Sequence, residues 1–174
     1  MDISSAKSET PADWKLLKRH DSSQAYISRS WDYEDGQRLV IGIGKKVVEA
    51  SIFRHSLRGM HIKTVVEMPT SFGCQVQCPH CASGGIEMVR LLSASDLGTI
   101  YSLVAKDVVG PRLISFAGIG ECSLNARAIF SFARDVVLDA PSTFTLTTVG
   151  IRPDFIDQVD SLSIDIPIKM LQIS

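Results

Sequence analysis

Three of the four cysteines in this 174-residue chain, Cys74, Cys78 and Cys81, fall within eight positions as Cys74-Gln75-Val76-Gln77-Cys78-Pro79-His80-Cys81. In a chain of this size, clustering of that kind points to metal or redox ligands rather than to disulfides. Three thiolates in one loop can hold three irons of a [4Fe–4S] cluster, leaving the fourth iron, which cysteine normally ligates, open to an external ligand. Zinc is the alternative. A structural zinc site wants four ligands, usually in two separated pairs, and the nearby fourth here is His80 inside the same tight loop, so the spacing favours the cluster. The remaining cysteine, Cys122, reads more readily as a small buried hydrophobe than as a functional thiol.

Such a loop needs a scaffold, and the composition supplies one. With 45% hydrophobic and 21% charged residues and a net charge of −1, the chain has the make-up of one globular domain, neither disordered nor collagen-like nor a disulfide scaffold. The near-neutral balance also disfavours a protein that coats a polyphosphate. No stretch approaches the roughly 18 apolar residues of a membrane helix, and Met1 to Arg19 has no apolar signal core. A cytoplasmic protein with no membrane partner is expected.

Residues 1–13 are rich in Ser, Glu, Lys, Thr and Pro and read as a flexible leader, and Trp14 to His20 as a short helical turn. Within an accessory segment, 14–60, the β-branched runs Arg38–Ile43 and Val47–Phe53 flank Gly44-Lys45-Lys46 and predict a β-hairpin. Gly42-Ile43-Gly44 belongs to that turn, because no helix pattern follows it as a phosphate loop requires. From residue 61 the chain alternates apolar runs with amphipathic stretches, the pattern of β-α units on a parallel sheet. Strands are expected at Lys63–Met68, Arg112–Ala117, Thr143–Thr148 and Ile168–Ile173. Helices are expected at Ser93–Gly110, Asn125–Asp139 and Asp154–Val159. The fold class is α/β: about four β/α units, 61–174, preceded by a small β appendage. The last strand lacks a covering helix, so the reading anticipates a truncated product, half of a split enzyme, or a chain dependent on a partner.

The cysteine loop follows directly on the first expected parallel strand, and its spacing resembles the defining motif of the radical SAM superfamily. That resemblance implies a partial or full β/α barrel, a [4Fe–4S] cluster and S-adenosylmethionine (SAM), with an external electron donor. It also implies reductive cleavage of SAM to a 5′-deoxyadenosyl radical that abstracts a substrate hydrogen. His80 takes the place of an aromatic residue that packs near the adenine of SAM in the family. The text Ser71-Phe72-Gly73-Cys74 through Cys81-Ala82-Ser83-Gly84 is similar to a narrower branch, the 23S rRNA and tRNA adenine-C2 methyltransferases and their adenine-C8 relatives. Phe116-Ala117-Gly118-Ile119-Gly120-Glu121-Cys122-Ser123-Leu124-Asn125 resembles the branch's form of the motif that receives the methionyl ammonium of SAM. This implies cofactor contacts at Gly118, Gly120 and Glu121. Thr145-Leu146-Thr147-Thr148-Val149-Gly150 and Leu171-Gln172-Ile173-Ser174 are similar to two further pieces, implying contacts at Thr147 and Ser174.

The branch uses two cysteines outside the cluster, one of them seven residues before the first cluster cysteine. That position is Glu67 here, and the second lies beyond Ser174. RNA is therefore not the favoured substrate, although a fragment of an RNA adenine methyltransferase-like enzyme and a non-catalytic iron–sulfur subunit are the two alternatives to a radical SAM core. Glu67 itself reads as a solvated or paired carboxylate sooner than a substrate-facing acid. His55 and His61, with Arg54, Arg58 and Lys63, read as a solvated face rather than an anion-binding strip.

Overall fold

The computed structural model describes residues 25–58 and 60–174; the expected leader and the Trp14–His20 turn lie outside them. The chain opens with an antiparallel meander of β1 (Ala25–Tyr33), β2 (Gly36–Ile43) and β3 (Lys46–Leu57). The last two are the expected hairpin, turning at Gly44-Lys45. The first was not anticipated, because a register shift between Ile27 and Arg29 breaks the period-2 alternation by which a half-buried strand is recognised.

Next comes β4 (Met60–Glu67), where the sheet changes sense, antiparallel to β3 on one side and parallel to a later strand on the other. It begins three residues before the expected Lys63. Met60, His61 and Ile62 are exposed and owe their extended form to pairing with β3, which a hydrophobic pattern does not register. A small ladder of β5 (Ser71–Phe72) and β6 (Arg90–Leu91) precedes α1 (Ala94–Val104). Then follow β7 (Arg112–Phe116), α2 (Ala126–Asp139), β8 (Ser142–Thr148), α3 (Phe155–Leu162) and β9 (Ile168–Ile173). The large sheet has the order β1-β2-β3-β4-β7-β8-β9, so meander and β-α units share one seven-stranded surface.

Local chemistry sets the helix ends. Ser93 accepts from the Asp96 backbone N–H at 3.1 Å while the Asp96 carboxylate accepts from the Ser93 N–H at 2.8 Å, a reciprocal cap that starts α1. Arg90 reinforces it with a 2.7 Å ion pair that holds the Asp96 carboxyl down at about 2. The helix stops at Val104, six residues short of Gly110. Val108 instead returns to the core through a turn onto the Ala105 carbonyl, 3.0 Å, with Arg112 bonding the Val108 carbonyl. In turn α3 runs past Val159 to Leu162, whose carbonyl takes the Arg134 guanidinium at 2.8 Å.

Parallel strands added successively by crossovers of one hand place every helix on one face of the sheet. On that face Leu39, Ile41, Val48, Ala50, Ile52, Val66, Ile114, Phe116, Phe144 and Leu146 meet Leu97 and Ile100 of α1 and Ile129, Phe130 and Ala133 of α2. Phe132 stands edge-on to Tyr101 at 5.5 Å and to Phe116 at 6.1 Å, joining the two helices to β7. The alternate residues of every strand point to the opposite face, which carries no helix.

Phe130→Ala, at a side chain with 1% exposure, is expected to lower unfolding free energy by about 3–5 kcal/mol. Ser93→Ala, which removes a cap, should cost only about 1 kcal/mol. Urea denaturation followed by circular dichroism checks both.

Candidate functional site

The cysteine loop leaves the carboxyl end of β4, where sheets of this kind carry ligand loops. The β5–β6 ladder closes its base, Arg90 lies over the Phe72 ring at 4.8 Å, and the Cys74 N–H donates to the Ile86 carbonyl at 3.1 Å. Inside the loop the Cys81 N–H bonds the Cys78 carbonyl at 3.0 Å and the Gly84 N–H bonds the Cys81 carbonyl at 2.9 Å. A Cβ at Gly84 would collide with the Cys78 carbonyl, so this close turn requires glycine. The result is a graded trio of free thiols: Cys74 buried, Cys78 half-buried and Cys81 exposed.

A cavity of about 330 Å³ opens beside them. Its wall includes Cys74, Cys78, His80 and Cys81 from the loop, Gly118, Gly120 and Glu121 from the end of β7, Thr147 from β8, and Ser174 after β9. All nine residues singled out in the sequence thus converge on one space, though they come from four strand ends spread over a hundred residues. Ser174 is held there by its N–H, which donates to the Thr148 carbonyl at 3.0 Å. Val76, Ser83, Ala117, Thr148 and Val149 also line the space and were not singled out as site residues.

Glu121 is 5% exposed, and its carboxylate is already heavily engaged. Oε1 accepts from the Ser123 N–H at 3.0 Å, the Ser123 hydroxyl at 2.6 Å and the Thr148 hydroxyl, while Oε2 accepts from the Val149 N–H at 3.0 Å. An ionised carboxylate offers about four acceptor positions over two oxygens. The crowded Oε1 is structural, and Oε2 keeps room for one further donor from the cavity. Strand alternation explains the division of labour in β8: Thr147 faces the cavity, whereas Thr148, one residue on, turns inward to Glu121. Asn125 is a second tie, missed as such in the sequence, where it reads only as a helix start. Its buried amide donates to the carbonyls of Thr70 and Leu92, both at 2.8 Å, fixing the loops after β4 and β6 to the head of α2.

Gly120, at φ +104°, lets the β7 loop pass over the Thr70 and Ser71 side chains; a Cβ there would collide with both hydroxyl oxygens. Cys122 has 1% exposure and donates through Sγ to the Thr147 carbonyl at 2.9 Å. Burial, helped by the Glu121 charge, pushes its thiol up to about 12. Glu67 is half-buried, and none of the three ion pairs among the described residues includes it. Arg54, His55, Arg58 and His61 are exposed at the far end of the sheet from the cavity.

No protein-family model matches the chain. A probable dual-specificity RNA methyltransferase RlmN from Bifidobacterium adolescentis is 25% identical over 163 residues, covering 82% of this chain and 42% of the relative. Another protein of that name, from Acidothermus cellulolyticus, is 28% identical over 109 residues, covering 53% and 25%. The crystal structure of a radical SAM methyltransferase from Sphaerobacter thermophilus superposes with a TM-score of 0.68 at 17% identity, over 86% of this chain and 45% of that one. The chain is a sequence relative of the RlmN proteins and has a radical SAM methyltransferase fold. It spans less than half the length of these relatives. Among its described residues no helix is long and apolar enough to cross a membrane.

Two outcomes follow from the site geometry. Iodoacetamide at pH 8 should label Cys81 and Cys78 of the folded, metal-free protein and spare Cys122, since a thiol titrating near 12 is about one part in ten thousand thiolate there; peptide mass mapping reads this directly. Asn125→Ala, which takes a donor from the Leu92 carbonyl while the Thr70 carbonyl keeps the Leu92 N–H, should cost about 1–3 kcal/mol in denaturant titration.

Proposed function

We propose that this chain is a radical SAM enzyme core in which Cys74, Cys78 and Cys81 hold a [4Fe–4S] cluster, and in which the 330 Å³ cavity beside them receives SAM. The convergence of the three thiols and the strand-end residues on that one cavity carries the reading. The donor set suits the group. Three free thiols stand in one loop beside the cavity, and a cluster takes its thiolates one to an iron. When bound and reduced, such a cluster supplies the electron that cleaves SAM to methionine and a 5′-deoxyadenosyl radical, which takes a hydrogen atom from a substrate.

The chain's own residues then have positioning tasks. The free side of Glu121 Oε2 suits the SAM ammonium through a charge-assisted bond, and the four donors on Glu121 keep that carboxylate from turning away. Gly118 and Gly120 bring backbone close without side chains, while Thr147 and Ser174 offer hydroxyls from the neighbouring strand ends. His80, exposed at the rim, can stack on the adenine in place of the family's aromatic residue. An external reductant is required.

Methyl transfer to RNA is the second reading, favoured by the names of the sequence relatives and opposed by Glu67 standing where that branch has a thiol. Transfer of labelled methyl from SAM to ribosomal or transfer RNA would decide for it.

Anaerobic reconstitution tests the main proposal. About four irons and four sulfides per chain are expected, with a cluster EPR signal that shifts on adding SAM and 5′-deoxyadenosine formed under dithionite. Cys74→Ala, Cys78→Ala or Cys81→Ala should each abolish all three. Zinc in place of iron, or a cluster indifferent to SAM, overturns it.

A further inference from the structure

The helix-free face of the sheet carries a continuous polar row. Register partners run Trp31, Arg38, Ser51, Glu67, Ser115 and Thr145 across β1, β2, β3, β4, β7 and β8. Directly opposed residues share a face, and their flanking neighbours Val66, Ile114 and Phe144 are buried on the other side, under the helices. Two residues beyond Ser115 and Thr145, on the same face and roughly 6.6 Å further along the strands, stand Ala117 and Thr147 of the cavity wall. The row therefore lies one pleat back along the strands from that wall; its Ser51 and Thr145 are buried, and none of its members lines the cavity itself.

Glu67 sits in the middle of this row. Its carboxyl is half-buried, and none of the three ion pairs among the described residues includes it. Arg38, the nearest cation along the row, is engaged with Glu49 at 3.2 Å. Burial pushes the Glu67 carboxyl upward, Arg38 pulls it partly back and Glu49 pushes it up again. A half-buried carboxylate with no protein donor or cation bonded to it among the described residues can accept one from a ligand. Glu67 repels anionic groups there, while an N–H donor meets a carboxylate whose register partners are Ser51 and Ser115.

We propose that Glu67 is a substrate-reading residue whose carboxylate receives an amino group of the molecule lying between the open sheet face and the cavity. The inference deepens the proposed function, and rests on it for the identification of that molecule as a substrate. Recognition of an amine by this carboxylate needs no cluster, which makes the two separable.

The test uses the full chain and a pair of probes, 2-aminopyridine and pyridine, the same ring with and without the amino group, titrated at pH 9, where both rings are neutral, by ligand-observed NMR. A preference of about tenfold or more for 2-aminopyridine is expected from one charge-assisted bond. Glu67→Gln should erase it without changing reconstituted iron content or the response to SAM, and Glu67→Asp should retain part of it. Equal binding of the two rings by the unsubstituted protein overturns the proposal whatever the variants do, as does an undiminished preference in Glu67→Gln. Failure of the chain to assemble a cluster would instead count against the proposed function, leaving the ring comparison intact.

Discussion

The carboxylate of Glu121 is the constraint on which the site depends. Two parallel strands held by their ladder alone leave their terminal loops free to splay, because the hydrogen bonds end where the loops begin. A buried charge placed just past β7 removes that freedom, since it must be surrounded by donors or pay a large desolvation penalty. The donors come from both sides: Ser123 after β7, and Thr148 and Val149 at the end of β8. The two strand ends are thereby locked together, and the cavity between them keeps its shape. Cys122 adds a weaker stitch between the same ends through the Thr147 carbonyl.

A second consequence is the sharp difference between the two faces of the sheet. All the helices stack on one side and bury the large apolar residues, so the core is built there and requires nothing of the other face. The helix-free face is then free to carry Arg38, Glu49, Glu67, Ser115, Thr145 and Thr147, groups that would be destabilising under helices. Because the strands that hold these groups also end in the cysteine, Gly120 and Thr147 loops, the same sheet that makes the core aims polar groups at one space. The antiparallel meander extends that face without an interruption at β4.

Several features were legible in the residues alone. The reciprocal cap at Ser93 and Asp96, the apolar faces of α1 and α2, the turn at Gly44-Lys45 and β9 from Ile168 to Ile173 are local, and local propensity or periodicity encodes each of them. Other features were hidden because their cause is distant. The bulge in β1 scrambles its alternation, the exposed start of β4 exists only through pairing with β3, and the early end of α1 is decided by Arg112 reaching back to Val108. Thr148 and Asn125 were present in the motifs, but nothing in their neighbourhood tells which buried group they will bond.

What the sequence determined by itself is the chemistry: three thiols at fixed spacing, a carboxylate after a glycine pair, and hydroxyls at strand ends, since residue type and short-range spacing are properties of the chain. What only the tertiary structure decided is proximity. Parallel strands linked by helical crossovers bring the ends of β4, β7, β8 and β9 to one edge of the sheet, so residues a hundred positions apart line a single cavity. The same register places Glu67 beside Ser115 and one pleat below the cavity wall, a relation set by backbone hydrogen bonds between strands and written nowhere in the local sequence.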